Sequence, residues 1–401
     1  MRILFVTWDG PQVNYLESLF LPIFKRLEDH NVFFDILQFR WGDPSLAATI
    51  ERQCSSLGIG YRAQFIHRKP PVIGPFASAF LGARWVREAV KDYNTNVIMP
   101  RSLLPAMAVL RSGEHRLRPV IFDRDGLDAD ERIDFGRSSR LSPVYRLLRT
   151  IERLMVRQSK TVLVRTEFAA KVLSQRSGMG LEHFHVVSNG RDKDVFEPGS
   201  PKQRESCRQW IGVSQSAPLL VYAGSVGPQY KFDQIGAYVM ALRKKREDAH
   251  VLILTGSPEA ARTELQRFSS SVLEFATIMR VEPHLVARYL AASDVGVAFR
   301  SRSFSTGAIA PVKLGEYLLS GIPVIGTPFV GNTAPATDAG IFFDEAQGPD
   351  AAASWIVETI LPRREETRTL ARKVGLEHFS LERSVHDYLS ALGTGSKPLD
   401  C

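Results

Sequence analysis

In the run PVKLGEYLLSGIPVIG, Pro311 to Gly326, a helix starts near the first proline, stops at Ser320-Gly321 and gives way to a short apolar strand. Proline just inside a helix and glycine just past its end are the usual start and stop signals. The loop before it, SFSTGAIAP, is built of small residues and holds Gly307, Ala308, Ile309 and Ala310. Such a helix start offers free backbone N–H groups and the positive end of its dipole, which suits a diphosphate. One turn inside the helix lies Glu316. A carboxylate only accepts hydrogen bonds, so at the mouth of such a site it is suited to gripping two vicinal hydroxyls, as on a ribose.

The segments upstream repeat one pattern. The strand LLVYAGS ends at Gly224 and Ser225 and runs into VGPQYKFDQI, which holds Lys231; VLILTGS ends at Gly256; the helix HLVARYLAASD leads into VGVAFR. The second half therefore has strand candidates at Leu219–Ala223, Val251–Thr255, Val295–Phe299, Val324–Gly326 and Ile341–Phe343. The first half has them at Arg2–Trp8, Phe33–Phe39, Asn96–Pro100, Pro119–Asp123, Lys160–Arg165 and Phe184–Ser188. Helical periodicity lies between most of them, and this alternation predicts parallel α/β sheets. The polar stretch RDKDVFEPGSPKQRE, Arg191 to Glu205, lacks periodicity and reads as a linker. Two successive doubly wound domains follow: 1–190 and 206–376, with a tail over 377–401. In such sheets ligands sit outside the carboxyl ends of the strands.

The chain has 401 residues, 44% hydrophobic and 23% charged, an ordinary globular composition long enough for two or three domains. Cys54, Cys207 and Cys401 lie far apart with no C-x-x-C spacing, so neither a disulfide framework nor a cysteine zinc site fits, and a reducing, cytoplasmic setting is expected. The nine histidines show no H-E-x-x-H spacing. The apolar run Ile3–Val6 is too short for a signal peptide, and Val72–Leu81 is broken by Gly74 and Pro75, well below the roughly 18–20 residues that span a bilayer.

A net charge of +8 fits a nucleic-acid binder, a protein resting on anionic lipid, or one handling phosphorylated substrates. Its position narrows the choice. Seven basic residues (Arg137, Arg140, Arg146, Arg149, Arg153, Arg157 and Lys160) and one acid, Glu152, lie in 137–160, so six of the eight excess charges fall there. Val144, Leu147, Leu148, Ile151, Leu154 and Met155 recur at helical spacing beside them. This basic amphipathic helix either rests on anionic membrane or packs its apolar stripe on the first domain with its arginines solvated. PPVIGPFASAFLGARW is either a lipid-facing loop or core. Few aromatics interleave the basic residues and no nucleic-acid module is present, which argues against nucleic acid.

The order of segments resembles the C-terminal domain of the family 4 glycosyltransferases, carried by GSVGPQYKFD, SPEAARTEL, VEPHLVARYLAASDVGV and, most specifically, PVKLGEYLLSGIPVI. MRILFVTWDG, VIFDRDG, RTIERLMVRQSKTVLVRTEFAAKVL and VSNGRDKDVFEPG extend the likeness into the first half, and HFSLERSVHDYLSAL is a tail of the kind that crosses back to the first domain. The resemblance implies the GT-B fold, two facing Rossmann-like domains, and retaining transfer of a sugar from a nucleotide sugar to a saccharide or lipid-linked saccharide, with no obligatory metal or other cofactor. It implies that Glu316 holds the donor ribose, Lys231 neutralises the diphosphate, the amides of 307–310 approach sugar and phosphate, and Val281 to His284, including Pro283, line the base pocket.

Three positions depart from the family pattern: Ala308 replaces the first glutamate of the E-x7-E motif, Ser225 stands where many members have an arginine, and Asp125 where many have a histidine. A single lysine is a thin stabiliser for a leaving diphosphate, so Arg300 or Arg302, at the end of the preceding strand, is expected to contact it. Asp125, in FDRDG, serves either the reacting centre or an Asx-turn with an arginine ion pair. Asp9 and Gly10, in TWDGPQVN, either face a ligand on the acceptor side or make a plain Asp-Gly-Pro turn. A nucleotide-sugar epimerase and a catalytically idle sugar-nucleotide-binding scaffold are the competing readings.

Overall fold

The computed structural model describes residues 1–11, 14–136 and 138–394. Arg137, the tail from 395 with Cys401, and Gln12 and Val13 of the TWDGPQVN turn lie outside the described residues. The chain forms two compact units: Met1–Ser188 with Gly307–Ile309 and the segment from Ser384, and Asn189–Thr306 with Ala310–Arg383.

The first unit carries β1 (Arg2–Asp9), β2 (Phe33–Arg40), β3 (Gly60–Phe65), β4 (Val97–Pro100), β5 (Ile121–Asp123), β6 (Thr161–Val164) and β7 (Phe184–Val186). The order is β3-β2-β1-β4, and parallel bridges Ile98–Val120 and Arg101–Asp123 continue it into β5-β6-β7. Ile3 to Val6 of β1 are fully buried, as a central strand covered by helices on both faces requires. The helix Pro143–Gln158 buries Leu148, Ile151, Met155 and Val156 in this core, so most of the apolar stripe is spent on packing. Leu147 and Leu154 remain outside, beside Arg146 and Arg153.

The second unit carries β8 (Leu219–Ala223), β9 (His250–Leu254), β10 (Ala276–Met279), β11 (Val295–Ala298), β12 (Val324–Gly326) and β13 (Phe342–Asp344). The order is β10-β9-β8-β11-β12-β13, all parallel. Counted within the unit this is 3-2-1-4-5-6, the Rossmann order, and its reversal point lies between β8 and β11.

Two strands escape the sequence pattern, β3 and β10. Both are edge strands of half-exposed residues and lack a continuous apolar run. The stretch expected as a linker is largely ordered inside the second unit. Arg191 bridges Ser380, and Pro201–Trp210 is a helix opened by a capping box in which the Ser200 N–H donates to Gln203 Oε1 at 2.7 Å and the Gln203 N–H to Ser200 Oγ at 3.2 Å. The helix Arg364–Phe379 ends before Ser380, and the next, Leu381–Leu392, contributes its residues from Ser384 to the first unit. There the Ser384 hydroxyl donates to the Ser188 carbonyl at 2.7 Å.

Candidate active site

The carboxyl ends of the strands of the second unit bring sequence-expected residues onto one edge: Val281 and Pro283 after β10, Gly256 after β9, Gly224 and Ser225 after β8, and Arg300 and Arg302 after β11; Thr327 after β12 and Glu345 after β13, which the sequence did not single out, join them there. Parallel strands sharing one direction put all these loops at the same end of the sheet.

Each cation here has a different environment. Lys231, in the left-handed conformation (φ 44°) at the start of the helix Phe232–Lys245, donates to Glu345 Oε1 at 2.5 Å. The same oxygen accepts from the Thr327 hydroxyl at 2.8 Å, and the Arg300 N–H donates to that hydroxyl at 2.8 Å. Arg302 is about half exposed and meets Asp344 at 3.3 Å. Among the described residues Arg300 has no carboxylate partner; its guanidinium lies 4.3 Å from the centre of the Tyr230 ring. Glu316 pairs with Arg191 Nε at 3.0 Å.

Sequence reasoning passed over Lys313, three residues before Glu316. Its amine lies 4.1 Å from the centre of the Tyr222 ring and 5.2 Å from that of Tyr230. Burial pushes it down to about 7, with Arg300 adding to the shift and Glu316 opposing it. A lysine at the second position of a helix that follows a small-residue loop was the available signal.

The helix holding Lys313 and Glu316 is set by two glycines. A Cβ on Gly315 would lie 2.9 Å from Phe379 Cβ, and one on Gly375 2.7 Å from the Leu319 backbone nitrogen. Val312–Leu319 and Arg364–Phe379 therefore pack at close range, and Arg372 donates to the Leu319 carbonyl at 2.7 Å.

Not every expected donor residue joins this edge. Gly307–Ile309 belong to the first unit, where Ala308 is fully buried in the apolar core and the Gly307 carbonyl accepts from the Thr166 hydroxyl at 2.8 Å. A glutamate at 308 would be desolvated there, so the side chain at this position is not a sugar ligand. The Ala310 carbonyl accepts from Asn189 Nδ2 at 2.7 Å. At Gly256 a Cβ would meet open space, so no close approach demands glycine.

In the first unit, Asp125 follows β5 and pairs with Arg101 and, at 3.3 Å, with Arg165. Those arginines also hold the buried Asp123, at 3.5 and 2.7 Å respectively. The arginine ion pair of FDRDG is separate: the fully buried Arg124 meets Glu152 at 2.9 Å and Asp128 at 3.0 Å. Asp9, also at a strand end, is taken up by the Thr7 hydroxyl at 2.8 Å and Gln38 Nε2 at 2.9 Å. Gly10 lies under the Trp41 ring, which leaves no room for a Cβ. Sequence reasoning did not identify Arg101 and Arg165, because the residues that pair with Asp125 are separated from it by more than twenty positions.

The coordinates of the chain superpose on the solved structure of HepE from Anabaena in complex with UDP with a TM-score of 0.71, at 15% identity over 98% of this chain and 100% of HepE. The fold is that of the GT-B glycosyltransferases. No family model matches the chain. Among curated proteins it is 24% identical over 196 residues to a Bacillus subtilis glycosyltransferase assigned by its name to teichuronic acid biosynthesis, TuaH, covering 48% of this chain and 46% of the relative. It is 26% identical over 252 residues to a D-inositol 3-phosphate glycosyltransferase of Geodermatophilus obscurus, covering 60% and 54%. The chain thus spans about half the length of the curated relatives it matches. In GT-B terms the edge described above belongs to the C-terminal Rossmann-like unit.

Proposed function

We propose that the chain is a retaining glycosyltransferase that moves a hexose-type sugar from a nucleoside diphosphate sugar to a saccharide or lipid-linked saccharide, in cell-surface polysaccharide or glycolipid synthesis. The observation that carries this reading is the Rossmann-ordered sheet with Lys231, Arg300 and Glu316 collected at the carboxyl ends of its strands. The names of the matched relatives and the UDP bound by HepE support it.

In this reading the diphosphate lies over the reversal point between β8 and β11, where Lys231 and Arg300 stabilise the charge that develops as the sugar leaves. Arg302 is spent on Asp344 and takes no part. Glu316, held by Arg191, accepts the ribose hydroxyls. Val281 and Pro283 border the base. Asp125, fixed by Arg101 and Arg165, serves the acceptor side. No protein nucleophile is invoked: the leaving phosphate takes the acceptor proton on the same face, which retains configuration.

Incubation with nucleotide sugars and a panel of saccharide acceptors, read by mass spectrometry, tests the reading. Transfer product supports it. Conversion of the donor sugar without any acceptor would favour epimerisation instead, and donor binding with neither reaction would favour a scaffold.

A peripheral membrane role is proposed for the outward face of Pro143–Gln158, where Arg146 and Arg153 flank the exposed Leu147 and Leu154. Among the described residues no helix is long and apolar enough to cross a membrane. Flotation with anionic vesicles tests this: protein left wholly in the soluble fraction would remove it.

A further inference from the structure

Among the described residues the Lys313 amine has no hydrogen-bond partner, although only 8% of the residue is exposed. A buried ammonium without a partner is expensive, and folded proteins keep such a group where a ligand completes it. The walls around it are aromatic: Tyr222 and Tyr230 face it within 4.1 and 5.2 Å of their ring centres. At the end of β8 it lies against Gly224, where a Cβ would stand 2.9 Å from the amine. A side chain there would close the approach to the charge. Lys313 also lies at the second position of Val312–Leu319, a helix with no side-chain cap at its N-terminus, so the first-turn N–H groups add their dipole to the same region.

The neighbouring charges do not neutralise it. Glu316 is paired with Arg191, Lys231 with Glu345 and Arg302 with Asp344. Arg300, which also has no carboxylate partner among the described residues, repels Lys313. Two positive groups in a partly desolvated corner make an anion receptor, and water-poor aromatic walls strengthen any charge-assisted contact made inside it.

We propose that Lys313 is a phosphate-binding residue: its ammonium, with the Arg300 guanidinium, receives the diphosphate oxygens of a nucleoside diphosphate lying over Gly224. This adds a third cation to Lys231 and Arg300, at an edge where Ser225 offers none. The inference rests on the donor-site reading of the second unit and adds to it a residue and a place for the phosphates.

Calorimetric titration of the full chain with inorganic pyrophosphate and with UDP, for wild type, Lys313→Met, Lys313→Gln and Lys313→Arg, tests it. The methionine and glutamine variants should bind both probes roughly ten- to a hundredfold more weakly, as loss of a hydrogen bond to a charged group implies, and arginine should restore part of the affinity. Methionine fits between the two rings without a buried charge, so the thermal midpoint of the unliganded protein should stay or rise. Glutamine gives a second neutral variant should methionine not fold. Affinity within twofold of wild type in the neutral variants, with a lowered midpoint, would make Lys313 a packing residue and overturn the inference while the donor site stands. Wild type binding neither probe would overturn both together.

Discussion

Arg191 Nε and Glu316 Oε1 lie 3.0 Å apart, and each side chain is close to nine-tenths shielded from solvent. The arginine is held in turn by backbone bonds, its N–H donating to the Phe379 carbonyl and its own carbonyl accepting from the Leu381 N–H, both at 2.8 Å. The carboxylate expected to meet the ribose therefore has a fixed position before any nucleotide arrives, and this preorganisation lowers the cost of binding. Arg191→Met should destabilise the fold by about 1–3 kcal/mol, because it strands a shielded carboxylate, whereas Glu316→Gln should cost less stability and more donor affinity. Urea denaturation and donor titration of the two variants separate these effects; equal stability losses with unchanged donor affinity would refute the assignment.

Arg300 and Arg302, two residues apart, should behave differently. Arg300 lies over Tyr230 with no carboxylate partner among the described residues, while Arg302 is about half exposed beside Asp344. Arg300→Ala is expected to lower kcat/KM for the donor by roughly tenfold or more, and Arg302→Ala to leave it within about twofold. Steady-state kinetics on both variants check this, and an unchanged Arg300→Ala would remove it from the diphosphate.

Gly375 lets the helix Arg364–Phe379 approach the Leu318 and Leu319 backbone. In Gly375→Ala the added methyl meets backbone, which cannot swing aside as a flexible side chain does, so a loss of about 1–3 kcal/mol is expected. Because the methyl would press on the helix Val312–Leu319, which carries Lys313 and Glu316, donor affinity should fall with stability. A variant as stable as wild type would show that the two helices have room to separate.

His250 supplies a pH dependence. Burial, reinforced by Arg243 and Arg208, lowers it from the usual 6.5 to about 4, while its Nε2 sits 2.8 Å from the Thr277 hydroxyl. The folded state thus prefers the neutral ring. Its contribution is fully present above pH 6.5 and is lost as pH falls toward 4, an effect of about 2 kcal/mol after allowance for partial solvent screening. His250→Gln should flatten the stability profile over that window in denaturation measured from pH 4 to 7.5; an unaltered slope would place the titration elsewhere.

Among the described residues eleven of the thirteen strands were legible, nine of them central parallel strands that are buried on both faces and read as apolar runs. Gly60–Phe65 and Ala276–Met279 were not, since a half-exposed edge strand alternates too weakly to stand out. The residues at the carboxyl edge of the second unit were legible where chain order suffices, as at Gly224, Lys231, Arg300 and Glu316, each just after a strand or inside the next helix. What the sequence did not reveal depends on pairing across the fold. The bonding of Lys231 to Glu345 spans 114 positions, Arg165 and Arg101 reach Asp123 and Asp125 from neighbouring strands that are far away in sequence, and the isolation of Lys313 is defined by partners it lacks among the described residues. Ala308, where the family pattern has a glutamate, is fully buried in the apolar core of the first unit, a burial that its loop position did not reveal.

The central claim is that the carboxyl edge of the second unit holds a nucleoside diphosphate sugar. Thermal-shift titration with nucleoside diphosphates and their sugars, run on wild type and on the Arg300→Ala/Glu316→Gln double variant, tests it most directly, because a ligand that binds only the folded state raises the midpoint with its affinity. The account predicts a concentration-dependent rise for one base in the wild type and its near-abolition in the double variant. A wild type indifferent to every nucleotide sugar, or a rise that survives both substitutions, would contradict it.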